Sequence, residues 1–111
     1  MNLFKTTLGL TLGLGLALPL AAAVAKPDPA TEAMMKKSDC FTCHSVAKKI
    51  VGPAYKDVAK KYKSDPKAAA MLIDKVKKGG SGHWGQVPMA AHPNLKDADV
   101  KAMVTWVLAQ K

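Results

Sequence analysis

Apolar residues recur at helical spacing near the end of the chain. They fall at i, i+3, i+4, i+7 and i+8, at Val100, Met103, Val104, Val107 and Leu108. This is the pattern of a helix that turns one face toward a core. It predicts a helix over about 97–110, the clearest element in the sequence.

Start and stop signals predict three further helices, over about 28–38, 54–62 and 67–78. The first and third follow Asp-Pro pairs, each supplying a capping acid and a proline at the first helical position. Gly79-Gly80 ends the third helix. The stretch from Gly79 to Asn94 lacks sustained periodicity and is predicted to be a long loop. No stretch predicts a strand, so a single all-α domain of about four helices is expected.

The first 25 residues have the three-part pattern of a secretory signal peptide. A short positive start through Lys5 precedes an apolar, glycine-rich run from Thr6 to Leu20, and small residues follow up to Ala25. An uncleaved membrane anchor is the alternative, but the run is short for a bilayer span, and its glycines and Pro19 disfavour a helix. We expect cleavage after Ala25 or Ala23.

Cleavage after residue 25 leaves a mature domain of 86 residues, 26–111, with a net charge of +8, because Lys5 is the only charge lost. No later apolar run is long enough for a membrane span, so a mature form that does not span the membrane is expected. A domain this small commonly needs a disulfide, a metal or a cofactor to hold it together.

The composition of the charged residues argues against a function in binding nucleic acids. The full chain of 111 residues carries 17 basic residues against 8 acidic ones, a net charge of +9, and every basic residue is lysine. Arginine forks are the usual means of reading bases and clamping phosphates. With 5% aromatic residues, the chain also lacks a platform for stacking single-stranded bases. No nucleic-acid partner is expected.

The candidate chemistry begins with Cys40-Phe41-Thr42-Cys43-His44. Two cysteines two residues apart, followed directly by histidine, form the attachment signature of c-type haem: the thiols become thioethers and the histidine binds iron. A disulfide would close too short a loop to restrain the unfolded chain much. A thioredoxin-type pair needs a βαβ setting, and zinc would need two further ligands, for which only His83 and His92 remain. The pattern favours one covalently attached haem c.

The iron then has either a second axial ligand or an open position. Met89 is the candidate, because it lies in the predicted loop directly after Pro88. Thioether sulfur opposite histidine raises the reduction potential of haem iron. The alternatives are that Met89 fills a gap in the packing, or that His83 or His92 binds instead. Met34 and Met35 precede Cys40 by only six and five residues, on the proximal side. Met71 and Met103 lie on apolar faces of predicted helices, where core packing is the expected role.

Four segments together resemble the small class I cytochromes c of bacteria, and in particular the c551/c552 group. They are Cys40–His44, Val51-Gly52-Pro53-Ala54-Tyr55-Lys56-Asp57-Val58, Trp84-Gly85-Gln86-Val87-Pro88-Met89, and Trp106-Val107-Leu108-Ala109-Gln110-Lys111. The resemblance covers essentially all of the mature chain. It implies a small cytochrome c fold in which helices surround one haem and the first and last helices cross.

The resemblance also implies roles for individual residues. Cys40 and Cys43 would attach the haem, with His44 and Met89 as axial ligands. The Pro53 carbonyl would accept the ring N–H of His44.

Other positions are implied at the edge of the haem. The Trp84 indole would reach a propionate, and Lys75 stands where the family often has an arginine for a propionate. The family often follows its methionine with Pro-Pro-Asn, whereas this chain has Ala90-Ala91-His92-Pro93-Asn94. Asn94 is therefore only a candidate for orienting the methionine sulfur, and His83 is expected at the surface.

The function implied is that of a monomeric periplasmic electron carrier, not an enzyme. Its partners would be redox proteins with acidic docking surfaces, of the nitrite reductase, cytochrome oxidase or peroxidase type. With both axial positions filled, an electron would pass through the haem edge without any substrate binding to iron. The alternative is a haem enzyme or gas-sensing domain in which Met89 does not bind iron.

Overall fold

The computed structural model describes residues 28–111 together with the isolated positions Gly9, Gly13 and Gly15. The rest of the predicted leader, with its cleavage site, lies outside the described residues. Five helices follow one another within residues 28–111: α1 (Pro29–Lys37), α2 (Cys40–Cys43), α3 (Tyr55–Lys61), α4 (Ala68–Lys78) and α5 (Asp97–Leu108). Residues 28–111 contain no strand, only two isolated bridges, which confirms the all-α prediction.

The short helix α2 is the element that the sequence pattern did not predict. It has four residues, and Asp39 before it adopts a left-handed φ of 63° with no side-chain cap. One turn is too short to show hydrophobic periodicity, so the sequence of α2 looks like a connection between longer helices. The single turn nevertheless sets the relative positions of the two cysteines.

Helix α1 begins where the capping signals predict. The Asp28 carboxylate accepts a hydrogen bond from the Ala30 N–H at 3.1 Å and another from the Thr31 hydroxyl at 3.0 Å. Pro29 occupies the first helical position, where its missing N–H leaves no intrahelical bond unmade. An ion pair between Lys36 and Glu32 adds a small i,i+4 contribution on the exposed face.

Helix α5 forms the centre of the fold because it packs against α1, α3 and α4. Most of its predicted apolar stripe is buried: Val100, Met103 and Val104 are at most 3% exposed, and Val107 and Leu108 are half-buried. Trp106 widens that face and joins Met35 and the ring of Tyr55 in one buried cluster. Each fully buried side chain of this size contributes about 1.5–3 kcal/mol.

The connection from α4 to α5 is the predicted long loop, and backbone hydrogen bonds hold it at its base. Gly80 and Met89 exchange N–H···O bonds of 3.0 and 2.9 Å. Just beyond them, the His92 N–H donates to the Val76 carbonyl of α4 at 3.0 Å. Among the described residues, no helix is both long and apolar enough to cross a membrane.

Candidate cofactor site

A cavity of about 350 Å³ lies between the α2 segment, the end of α4, the long loop and α5. Its volume falls within the range typical of ligand and cofactor sites. Most of its lining is apolar, and the exceptions include the side chains that the sequence singles out. The fold brings together Cys40, Cys43, His44, Trp84 and Met89 around this one space.

Cys40 and Cys43 stand at the two ends of the single turn α2. Both are half-buried free thiols. Burial raises the pKa of the Cys40 thiol, and the negative charge of Asp39 adds to the rise, while a backbone hydrogen bond opposes it. One turn of helix therefore presents two sulfurs at the same wall of the cavity.

His44 follows α2 in an extended conformation and is held by its ring. Its Nδ1 lies 2.8 Å from the Pro53 carbonyl oxygen. Because a carbonyl can only accept, Nδ1 carries the proton in this contact and the Nε2 lone pair is left for a metal. The ring also stacks on Tyr55, with centroids 5.0 Å apart and planes 19° from parallel.

Gly52 contributes to the site through its lack of a side chain. A Cβ there would lie 2.4 Å from Cε1 of His44 and 2.8 Å from Nδ1. Its φ is not positive, so the need for glycine comes from this close approach and not from backbone strain. The sequence displays Gly52 beside Pro53, but no local signal gives it this role.

Tyr55 is a second residue to which the sequence pattern gives no role. Besides stacking on His44, its ring makes edge contacts with Phe41 at 5.8 Å and Trp106 at 5.7 Å. Burial raises the pKa of its phenol, with a further rise from the negative charges of Cys40 and Cys43 when ionised. Tyr55 therefore connects the candidate metal ligand to the buried core.

Met89 reaches the cavity from the long loop, and its backbone is closely packed. A Cβ on Gly79 would lie 2.4 Å from the Met89 carbonyl oxygen, and Gly79 has a φ of +67°. Met35 and Met103 also line the cavity, but they are 1% and 2% exposed in the helical core. Met89 is the half-buried methionine on the loop wall.

The two remaining histidines differ in position. His92 is half-buried and lines the cavity, whereas His83 is exposed, as expected from the sequence. Asn94, the candidate for orienting the methionine sulfur, is exposed and does not line the cavity. His92 therefore borders the same cavity as Met89, whereas Asn94 does not.

Trp84 and Lys75 both line the cavity near its opening. Trp84 is 37% exposed. The Lys75 ammonium lies 3.5 Å from where a Cβ on Gly80 would stand. An indole N–H and an ammonium at the rim are donors for carboxylates at the edge of a bound group.

The donor set fits a covalently bound haem. An apolar cavity, two neighbouring thiols and an imidazole with its Nε2 available match the needs of porphyrin attachment and iron ligation. The part of the chain that the structure describes holds no cluster of three or more His, Cys, Asp or Glu side chains of the kind that zinc requires.

Comparison with known proteins agrees with this reading. The model of the family described as cytochrome c matches residues 30–111. The chain is 51% identical over 88 residues to cytochrome c-551 of Allochromatium vinosum, covering 79% of this chain and 94% of that protein. It is 46% identical over 91 residues to cytochrome c-552 of Nitrosomonas europaea, covering 82% and 88% respectively.

The fold is also similar to that of a solved relative. The crystal structure of Nitrosomonas europaea cytochrome c552 superimposes with a TM-score of 0.69 at 48% identity. The match covers 72% of this chain and 99% of that one. The chain therefore belongs to the cytochrome c family and to its c-551/c-552 group, as a monohaem electron carrier with one covalently bound haem c.

Proposed function

We propose that this protein is a periplasmic single-electron carrier in which Cys40 and Cys43 attach the haem and His44 and Met89 bind its iron. The observation that carries the proposal is that one cavity is bordered by both cysteines, the oriented imidazole and the loop methionine. Haem iron supplies a ferric–ferrous couple that exchanges one electron. The chain's own residues decide which ligands reach the iron.

His44 would act as the fixed ligand. Its hydrogen bond to the Pro53 carbonyl orients the ring and makes Nε2 a stronger donor. Met89 would close the second axial position and, as a thioether, raise the reduction potential. If both His44 and Met89 bind the iron, no substrate would reach the metal, so we propose a carrier and not an enzyme or gas sensor.

Trp84 and Lys75 would bind the haem propionates. Both line the cavity, and Trp84 is partly exposed at its rim. A lysine is a point charge and lacks the planar fork of arginine, so Lys75 would hold a propionate with less geometric restraint. Neutralising the propionate carboxylates would also influence the reduction potential of the haem iron.

The leader supports export to the periplasm. Residues 1–25 would be removed as a signal peptide, leaving residues 26–111 as the cytochrome domain. C-type haem is attached outside the cytoplasm, which agrees with this route. Mass spectrometry of the exported protein tests it: a mature N-terminus near residue 26 is expected, and an intact leader would contradict it.

The partners would be redox proteins with acidic docking surfaces, of the terminal reductase, oxidase or peroxidase type. The carrier itself would be a monomer. Lys48 and Lys49 are exposed, and Lys49 pairs through its backbone with His44 in an isolated bridge. Nearby in sequence, Ile50 and Val51 are 54% and 47% exposed. Positive charge beside exposed apolar side chains suits a partner that docks quickly and leaves quickly.

The decisive experiment is the absorption spectrum of purified ferric protein, with Met89→Ala as the variant. Wild type should show the methionine–iron band near the red end of the spectrum and should resist carbon monoxide in the ferrous state. Met89→Ala should lose the band, bind carbon monoxide and have a lower reduction potential.

Met71→Ala is the matched control, because Met71 is a half-buried methionine of α4 outside the cavity lining. It should keep the band. A high-spin ferric spectrum in wild type would favour the haem enzyme or sensor instead.

A further inference from the structure

The tip of the long loop is exposed and weakly connected to the rest of the protein. Residues 81–88 are all exposed, although Trp84 within them lines the haem cavity. Within residues 28–111, the hydrogen bonds and aromatic contacts that join 81–88 to another element all come from Lys61 and Tyr62. These two residues form the end of α3 and its C-cap.

Lys61 makes two contacts with the loop at the same time. Its ammonium donates to the His83 carbonyl oxygen at 3.0 Å. The same nitrogen lies 4.4 Å from the centroid of the Trp84 ring, within the range of a cation–π interaction. An ammonium has three N–H donors, so both contacts form together.

Tyr62 supports the same indole from the side. Its ring meets Trp84 edge-on, with centroids 6.4 Å apart and planes at 77°. Its backbone N–H donates to the Val58 carbonyl, and Val58 is buried in the core. The contacts of Lys61 and Tyr62 with the loop therefore start from a fixed element.

We propose that Lys61, with Tyr62, is a positioning residue that clamps the loop tip and so keeps Met89 at the haem. The Gly80–Met89 hydrogen bonds close the base of the same loop, and the clamp holds its tip at His83 and Trp84, six and five residues before Met89. Releasing the tip favours loop opening, which withdraws Met89 from the cavity. The inference rests on the proposed function, because it takes Met89 as the axial ligand.

Loss of the clamp should change the loop-opening equilibrium by an amount that can be measured. Exposed cation–π contacts are weak, and losing one changes a local equilibrium by about two- to fivefold. An added neutral ligand such as imidazole binds the iron only when the loop is open. Its apparent affinity therefore scales with the open fraction and should rise by the same factor when the clamp is removed.

The experiment titrates ferric holoprotein with imidazole and follows loss of the methionine–iron band. Lys61→Met should bind imidazole about two- to fivefold more tightly than wild type. Lys61→Arg keeps a cation over the indole and should behave like wild type. Lys60→Met is the matched control, because Lys60 is exposed on the same last turn of α3 and its loss removes the same charge.

General destabilisation is separated from positioning by Asp28→Ala, which removes the cap of α1. It should lower the midpoint of guanidinium unfolding while leaving imidazole affinity unchanged. The clamp is overturned if Lys61→Met matches Lys60→Met, or if Asp28→Ala tightens imidazole binding equally.

Failure of the clamp can be distinguished from failure of the proposed function. If wild-type ferric protein lacks the methionine–iron band, the assignment of Met89 as ligand fails. Hydrogen exchange at the Gly80 and Met89 amides then still reports loop opening. Exchange should be faster in Lys61→Met than in Lys60→Met, and equal rates would overturn the clamp.

Discussion

His44 is restrained on three sides by residues close to it in sequence. The Pro53 carbonyl accepts a hydrogen bond from its Nδ1–H, Tyr55 stacks on its ring, and Gly52 has no Cβ that would clash with the ring. Such contacts with the residues around a metal ligand fix its orientation and tune its donor strength. The orientation of the imidazole is thus fixed by contacts with the chain's own residues.

Replacing Gly52 with alanine should displace the His44 ring. The new Cβ would stand 2.4 Å from Cε1, so the ring must turn away from Pro53 or the backbone must shift. Overpacking of this kind costs about 1–3 kcal/mol. We expect a lower midpoint of guanidinium unfolding and a changed reduction potential.

Ile50→Ala is the control for Gly52→Ala. Ile50 is exposed and lies outside the cavity lining, and its truncation adds no atom near the ring. It should leave the potential and the unfolding midpoint close to those of wild type. Unchanged values in Gly52→Ala would show that the ring does not need this space.

Helix α1 depends on its first residues and packs on the central helix α5. Its Asp28 cap satisfies the Ala30 N–H and also accepts from Thr31, a polar residue only 6% exposed. At its other end, Met35 is fully buried in the cluster with Trp106 and Met103. The cap thus stabilises the helix that covers one side of α5.

Asp28→Ala should reduce stability by about 0.5–2 kcal/mol, the usual effect of losing a helix cap. The measurement is guanidinium unfolding of ferric holoprotein. Asp28→Asn keeps an oxygen that accepts from the Ala30 N–H, so it should retain most of the stability. Equal losses in the two variants would show that charge, and not the capping hydrogen bond, stabilises α1.

At the scale of the whole molecule, the lysines differ in whether an acidic side chain of the same chain pairs with them. Lys36, Lys77 and Lys78 form ion pairs with Glu32, Asp97 and Asp74. These pairs offset part of the positive charge of the Lys36–Lys37 and Lys77–Lys78 segments. Lys48 and Lys49, next to the His44 bridge, are therefore the strongest candidates for steering.

Electron transfer to an anionic oxidant should become slower as salt is added. Steering by a net positive carrier raises association rates, and the Debye length falls to ~10 Å at 0.1 M salt. Stopped-flow oxidation of ferrous protein by hexacyanoferrate(III) measures this. Reversing the charges of Lys48 and Lys49 to glutamate should flatten the dependence on sodium chloride.

Reversing Lys101 and Lys111 is the charge-matched control, because Lys101 is exposed on α5 and Lys111 ends the chain. It should flatten the dependence less. Equal effects of the two double variants would mean that only net charge matters. A rate that does not respond to salt would leave the lysines with a role in solubility alone.

The longer helices and the cofactor of this protein can be predicted from short-range features of its sequence. The caps and apolar spacing predict the four longer helices, and the described α1, α3, α4 and α5 agree with them to within two residues at each end. The Cys40–His44 segment predicts a covalent haem, which membership of the cytochrome c family confirms. These features are readable because a cap, a helical face and a haem-attachment motif each depend on residues a few positions apart.

Tertiary structure decided the contacts between distant segments. Lys61 and His83 are 22 residues apart, and no periodicity indicates that they meet. The same holds for His92, which borders the cavity while His83 does not. Sequence patterns show which face of an element is apolar, but the packing of α3, α4 and α5 determines which residues share a cavity. The haem-attachment motif is therefore local in the sequence, whereas the meeting of Met89 with that motif at one cavity, and the contact of Lys61 with the loop, depend on the folded chain.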